Sequence, residues 1–301
     1  MKDKKFRRSP MFYVGDKYRL IKEIQQYFPK NINNFIEPFV GGGTVFLNTE
    51  AKKYILNDVD KYVFNLHNFL KSQSSENFFL EEVLKYIEKY NLSRSFINDI
   101  VPKELKQEHK KTYYARYNKE GYNMLKNDFN KSKKKNLIQL YILLIYGFNR
   151  ILRFNSKGEF NVPVGNVDFN KNVEIAIKDY FAFVKGKDIK ITNLDFKEFI
   201  QKNKFKKNDF IYLDPPYLIT FSEYNKMWNE KKEIELLNVL DELNKQHINF
   251  AISNVTTYKG RKNQIFIDWM RKYNSKKIKS NYISYHDNSN KSFEEVLVFN
   301  Y

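Results

Sequence analysis

The sequence predicts an α/β fold: an open, mainly parallel sheet whose two halves are separated along the chain by a mainly helical insert carrying a β-hairpin. Three observations carry this. Short apolar runs of strand length end in glycine or acid at 34–43, 53–58, 188–195 and 210–214, with helix-like sequence after them. From about 66 to 168 the pattern changes to helical periodicity with basic joins, and beyond 168 the α/β pattern resumes. The expected division is a discontinuous α/β domain, 1–65 with 169–301, and an inserted domain, 66–168, with its hairpin at about 151–164.

Taken in order, a helix at about 17–28 stops before Pro29. A strand at 34–37 runs into Pro38-Phe39-Val40-Gly41-Gly42-Gly43, and Val45, Phe46 and Leu47 then open a helix. The strand at 53–56 ends at Asn57-Asp58. In the insert, 80–90 and 133–146 are helical, and 151–164 folds back at Asn155-Ser156-Lys157-Gly158. A helix at 173–184 precedes the strand at 188–192, which ends at Asn193-Leu194-Asp195-Phe196. Phe210–Leu213 is the strongest strand and ends at Asp214-Pro215-Pro216-Tyr217. A helix at 230–245, a strand at 249–253 and a helix at 263–272 follow, and 279–285 with 294–299 close the sheet edge as an antiparallel pair.

Lys and Arg outnumber Asp and Glu by 53 to 35, a net charge of +18. That excess fits a polyanionic partner, although a compositional preference for Lys, Asn, Ile, Tyr and Phe produces the same number. With no cysteine, disulfides, thiolate metal sites and cysteine nucleophiles are excluded. His67, His109, His247 and His286 are scattered without ligand spacing. No apolar run approaches the roughly 18 residues of a membrane span. The basic start lacks the apolar segment of a secretory signal. The expectation is an intracellular, cytoplasmic protein without a protein-bound metal.

Ligands of open α/β sheets sit beyond the C-terminal strand ends. Gly41, Gly42 and Gly43 permit a tight turn and close backbone approach to a ligand, or simply a surface turn. Asp58 is placed to accept ribose hydroxyls, Asp195 to accept from an adenine amino group with Phe196 against the ring; a solvated turn acid is the plain alternative for each. No Gly-Lys-Ser or Gly-Lys-Thr follows the glycines, which disfavours phosphoryl transfer. Asp214-Pro215-Pro216-Tyr217 is the sharpest signal. An amino group on a nucleobase is a weak nucleophile because its lone pair is delocalised into the ring. A carboxylate and a backbone carbonyl accepting its two N–H hydrogens draw the nitrogen toward a tetrahedral form. Prolines stiffen the loop and keep their carbonyl acceptors, and Tyr217 offers a stacking face to an extruded base.

These residues resemble the D12-class adenine-N6 DNA methyltransferases, the class of the Dam and DpnII-type enzymes, over nearly the whole chain. The resemblance implies a Rossmann-like S-adenosylmethionine-dependent catalytic domain with an inserted target-recognition domain. It assigns Tyr13, Lys17, Phe39 and Gly41–Gly43 to the cofactor pocket, Asp58 to its ribose, Asp195 and Phe196 to its adenine, and Asp214–Tyr217 to catalysis. Tyr146-Gly147-Phe148-Asn149-Arg150 and the run from Arg153 to Gly165 resemble the family's recognition hairpin, closer to the NlaIII and FokI-type enzymes, as is Phe221-Ser222-Glu223-Tyr224-Asn225. Arg153 is the first choice for a base contact; Asn149 contacts a base edge or orders the hairpin, Asn155 at the turn is counted among the DNA-binding residues, and Arg150 and Lys157 serve equally as phosphate contacts. The opening Val14-Gly15-Asp16-Lys17 and the Arg150 that follows Asn149 depart from the Dam pattern, so GATC recognition does not transfer automatically, and CATG, GATC or another ATG-containing site are the alternatives.

The implied activity is methylation of adenine N6 in a short duplex DNA site, with S-adenosylhomocysteine as by-product and no metal. The implied setting is a restriction–modification system with a separate endonuclease. Cytosine-N4 or RNA amino methylation, and a catalytically silent DNA-binding regulator, are the alternatives. The oligomeric state is not specified by sequence.

Overall fold

The computed structural model describes residues 6–132, 135–220, 228–279 and 293–301. Its strands are β1 (Asn34–Glu37), β2 (Lys53–Asn57), β3 (Asp188–Thr192), β4 (Phe210–Leu213), β5 (Asn249–Tyr258), β6 (Arg261–Lys262), β7 (Asn274–Ile278) and β8 (Phe293–Phe299). Its α-helices are α1 (Ile21–Ile24), α2 (Lys61–Ser72), α3 (Glu76–Lys89), α4 (Lys103–Glu108), α5 (Tyr113–Lys131), α6 (Leu137–Tyr146), α7 (Lys171–Val184), α8 (Phe196–Lys202), α9 (Glu230–Lys245) and α10 (Gln264–Met270). Two compact units share them. One comprises the described residues of Met1–Asp16, Gly41–Leu47 and Asp60–Gly186; the other comprises Lys17–Val40, Asn48–Val59 and the described residues of Lys187–Tyr301.

The second unit holds the whole sheet, in the order β3-β2-β1-β4-β5-β8-β7, with β6 paired to β5. The first five strands of that order run parallel, and β8 and β7 add antiparallel. β4 is apolar and buried at every position, as a central parallel strand must be. At the outer edge, β7 is exposed and lysine-bearing, which discourages pairing with another chain. Buried Asp209 aligns the strand starts: Oδ1 accepts from the Asn34 backbone and side-chain nitrogens, at 3.2 and 2.8 Å, and Oδ2 from Lys206 N at 2.8 Å. Leu236, Leu237, Leu240 and Leu243 of α9 pack with Phe250, Phe266 and Trp269 into one core. The expected α/β sheet is present.

The first unit is helical. α6 is buried from Ile138 through Tyr146, and Asn136 caps its start by accepting from Ile138 N and Gln139 N. α2 buries Val63, Leu66, His67 and Leu70, and α5 buries Asn118, Tyr122, Leu125 and Phe129; both stripes have helical spacing. No helix among the described residues is long and apolar enough to cross a membrane.

Several expected elements differ. The helix at 17–28 is one short turn, α1, entered through turns on the Lys17 and Leu20 carbonyls and followed by a 3₁₀ turn at Gln25–Tyr27 that ends at extended Phe28. After the glycines a 3₁₀ turn, Phe46–Asn48, replaces a helix. α5 occupies sequence expected as a join. The helix at 133–146 begins at Leu137; residues 133–134 lie outside the described residues. β7 pairs antiparallel with β8 at the sheet edge; of the strand expected at 279–285, residues 280–285 lie outside the described residues. The hairpin has no continuous strands: Phe154 pairs with Phe160 and Gly147 with Val164 as isolated antiparallel bridges. Pro163 has no N–H to donate, and side chains of Arg153 and Asn155 take up backbone groups a ladder would use.

Candidate active site

Strand order reverses between β1 and β4, so the crevice of this sheet lies beyond their C-terminal ends. Asp214 leaves β4 there. Its Oδ2 accepts from Lys17 Nζ at 2.5 Å and its Oδ1 from the Tyr217 hydroxyl at 2.9 Å. Glu295 of β8 completes the cluster, 3.0 Å from the Tyr217 hydroxyl and 3.8 Å from Lys17 Nζ. Lys17 and Glu295 are buried, and charges at that depth persist only when paired. Burial, then the negative charges of Asp214 and Glu295, push the Tyr217 phenol well above its ordinary range. The hydroxyl therefore keeps its hydrogen and donates it, orienting Asp214. An ionised carboxylate has about four acceptor positions, so the two bonds leave capacity for an incoming N–H. Thr220 donates twice to the Tyr217 carbonyl, closing the loop behind the two prolines.

Beyond β1, β2 and β3 the loops are braced by Asn57, which is fully buried. Its amide donates to the Pro38 and Leu194 carbonyls at 3.0 and 2.9 Å and accepts from Leu194 N and the Thr192 hydroxyl at 3.0 and 2.8 Å. Asn57 thus builds the rim, and the carboxylate of the Asn57-Asp58 pair belongs to partly exposed Asp58. Asn193 holds the Asp58 and Val59 carbonyls. Asp195 caps α8 through Lys197 N and accepts from Lys232 Nζ at 3.1 Å. Phe196 is only 3% exposed, packed against half-buried Phe39 and Trp228.

In the helical unit, the glycine loop has left-handed backbone at Gly41 (φ +47) and Gly43 (φ +81). A side chain at Gly42 would press on Tyr13 at 3.1 Å, and one at Gly43 would overlap Phe46 and His67. Tyr13 is thus packed on the loop, which only glycine can follow. Buried His67 is 2.8 Å, through Nε2, from the Gly41 carbonyl. Burial lowers its pKa to about 4, so the ring is neutral and donates from Nε2.

The hairpin residues have distinct environments. Arg153 lies across the hairpin, Nε to Asn161 Oδ1 at 2.8 Å and Nη2 to the Asn161 carbonyl at 3.0 Å. Asn155 forms the turn: its Oδ1 accepts from Lys157 N and Glu159 N, and its amide donates to Glu159. Lys157 is exposed at the tip. Asn149 and Arg150 both have left-handed backbone, at φ 54 and 50. The Arg150 guanidinium lies 4.4 Å from the Phe12 ring centre, its pKa lowered to about 10 by burial and then by Arg8. Beside it Phe148 is 50% exposed. Phe221–Asn225 lies outside the described residues.

The family description "D12 class N6 adenine-specific DNA methyltransferase" matches residues 13–284. The chain belongs to this family. Among curated relatives, the modification methylase StsI of Streptococcus sanguinis is 34% identical over 99% of this chain and 43% of its own length. The type II methyltransferase M.FokI of Planomicrobium okeanokoites is 33% identical over 98% and 43%. A DNA adenine methylase of Haemophilus influenzae is 32% identical over 75% of this chain and 69% of its own. The chain thus spans less than half the length of the first two.

For this D12-class chain the sequence singled out Asp214 and Tyr217 but missed Glu295, which contacts Tyr217, and His67, which holds the Gly41 carbonyl. An acidic pair, Glu294-Glu295, inside an otherwise apolar strand was the available signal for the first. Lys17, assigned by resemblance to the cofactor, has its ammonium on Asp214.

Proposed function

We propose that the chain transfers a methyl group from S-adenosylmethionine to adenine N6 in a short duplex DNA site. The observation that carries this is the Asp214 carboxylate, fixed from both sides by Lys17 and Tyr217 beyond β4 at the reversal in strand order. A carboxylate so fixed accepts an amino N–H without reorganising, as electrostatic catalysis requires. The Pro215 carbonyl is the second acceptor. When bound, S-adenosylmethionine supplies an electrophilic methyl on a sulfonium; the amino lone pair forms the new N–C bond as the S–C pair returns to sulfur. One N–H proton then leaves past Asp214 to solvent. Tyr217 supplies an aromatic face to the extruded base.

The residues present suit the cofactor. In the helical unit, the tight Gly41–Gly43 turn is the residue set assigned to its methionine part; in the sheet unit, Asp58 is a partly exposed carboxylate for ribose hydroxyls, and Asp195 is an acceptor for the adenine amino group. Arg153, Lys157 and Asn149 are the proposed DNA contacts, with Asn155 shaping the turn and Arg150 bracing the segment on Phe12. The names modification methylase and type II methyltransferase among its relatives support a restriction–modification setting, and pairing with a separate endonuclease is part of this proposal. Incubating the purified chain with labelled S-adenosylmethionine and random-sequence duplex DNA tests the reading. Labelled N6-methyladenine at one mapped site is expected; label only in N4-methylcytosine or RNA, or cofactor binding without transfer, contradicts it.

A further inference from the structure

The cluster around Tyr217 holds more oxygens than hydrogens. Tyr217 Oη lies 2.9 Å from Asp214 Oδ1 and 3.0 Å from Glu295 Oε1, and its single hydrogen is donated to one of them at a time. The row Asp214–Tyr217–Glu295 thus has two short oxygen–oxygen gaps and one hydrogen between them. A second hydrogen would complete it. The charges agree with this count. Two carboxylates share the Lys17 ammonium, so the cluster keeps an excess negative charge until a proton arrives. Tyr212 of β4, within electrostatic reach of Glu295, adds none. Its phenol, 2.8 Å from Ser253 Oγ, is pushed well above its ordinary range by burial and then by Asp214.

Methyl transfer supplies the proton. The sulfonium loses its charge and the amine gains a methyl group, so an N–H proton leaves in each turnover, and Asp214 receives it first. Asp214 is a poor place to keep it. Lys17 Nζ is 2.5 Å from that carboxylate and 3.8 Å from Glu295, so the ammonium favours an ionised Asp214 more strongly. Glu295 is also sealed from water, its side chain 1% exposed against 20% for Asp214.

We propose that Glu295 holds the proton released in methyl transfer, received from Asp214 through the Tyr217 hydroxyl, until the methylated DNA departs. The N–H bond breaks as an O–H bond forms on Asp214. Asp214 passes that hydrogen to Tyr217 Oη while the phenolic hydrogen passes to Glu295 Oε1. The base ends neutral, Asp214 is again a carboxylate, the phenol is restored and Glu295 is a neutral acid. Glu295 acts through Tyr217, as a positioning residue for the departing proton. The inference rests on the methyltransferase function proposed above and adds a stop between Asp214 and solvent.

A single turnover with excess protein, S-adenosylmethionine and the mapped duplex, in weak buffer with a pH-indicating dye, reads methyl transfer and proton release together. The dye signal should run about tenfold slower than N6-methyladenine formation, in step with departure of the DNA. Glu295→Gln keeps a polar group on the Tyr217 hydroxyl but takes no proton. Its dye signal should coincide with transfer, and transfer itself should slow by no more than about tenfold, the loss of one hydrogen bond. Tyr217→Phe breaks the row and keeps Glu295, so it should abolish the lag as well, and it decides where Glu295→Gln does not fold. A Glu295 with only a structural role would slow transfer and leave the lag in place. Proton release in step with transfer in the unaltered protein, or a lag that survives either variant, overturns the inference and leaves the proposed function standing. Absence of N6-methyladenine altogether overturns both.

Discussion

Lys17 and Tyr217 act on Asp214 in different ways. The ammonium is the buried counter-charge for Asp214 and Glu295, whereas the phenol fixes the direction of one carboxylate oxygen. Lys17→Met takes the buried ammonium from Asp214 and Glu295, and removing one partner of a buried pair costs about 3–5 kcal/mol. The methyl-transfer rate constant in single turnover should fall at least about a hundredfold. Tyr217→Phe removes one donor and keeps the ring, so a loss nearer tenfold is expected; equal losses for the two variants would reject this division. His67 gives a pH signature. It is neutral when folded, with a pKa lowered to about 4 from 6.5 by burial, so below pH 6.5 the unfolded chain binds the extra proton. Stability from this residue is intact above pH 6.5 and declines as pH falls toward 4, by about 2–3 kcal/mol at pH 4.5. Urea unfolding at pH 7 and 4.5 should show that part of the decline absent in His67→Gln; an unchanged decline would show that His67 does not titrate this way.

Among elements, the Asn57 amide ties the loops after β1 and β3 to the end of β2. Asn57→Ala removes four hydrogen bonds and leaves buried partners unsatisfied, so unfolding free energy should drop by about 2–4 kcal/mol. A drop below about 0.5 kcal/mol would mean the loops hold themselves. In the hairpin, Arg153→Ala should flatten discrimination between cognate and one-base-changed duplexes by roughly 1–3 kcal/mol. An equal loss on all duplexes would assign it to phosphate. The central strands were legible in sequence because β1 and β4 are buried apolar runs ending in abrupt polarity changes. α5 was not, because its buried stripe of Asn118, Tyr122, Leu125 and Phe129 is diluted by lysine and asparagine. Asn155 suits both a turn and a DNA contact by residue type, and its bonds to Lys157 and Glu159 show the turn role that only the folded hairpin reveals.

Across the whole molecule, the parts of the site hidden from sequence are those made by long-range pairing. Lys17 and Asp214 are 197 positions apart, and Glu295 reaches Tyr217 only because β8 adds antiparallel beside β5. The net charge of +18 has its own consequence. If six or more phosphates are neutralised, DNA affinity should fall about a thousandfold or more between 50 and 200 mM salt. A filter-binding series over that range measures the slope, and a flat response would remove charge from the account of DNA attraction. The central claim is narrower: an amino nitrogen is activated by the carboxylate after β4. Single-turnover methylation by Asp214→Ala, beside equilibrium binding of cofactor and duplex, tests it most directly. The account predicts near-complete loss of N6-methyladenine formation with both affinities largely kept; transfer at close to the original rate would contradict it.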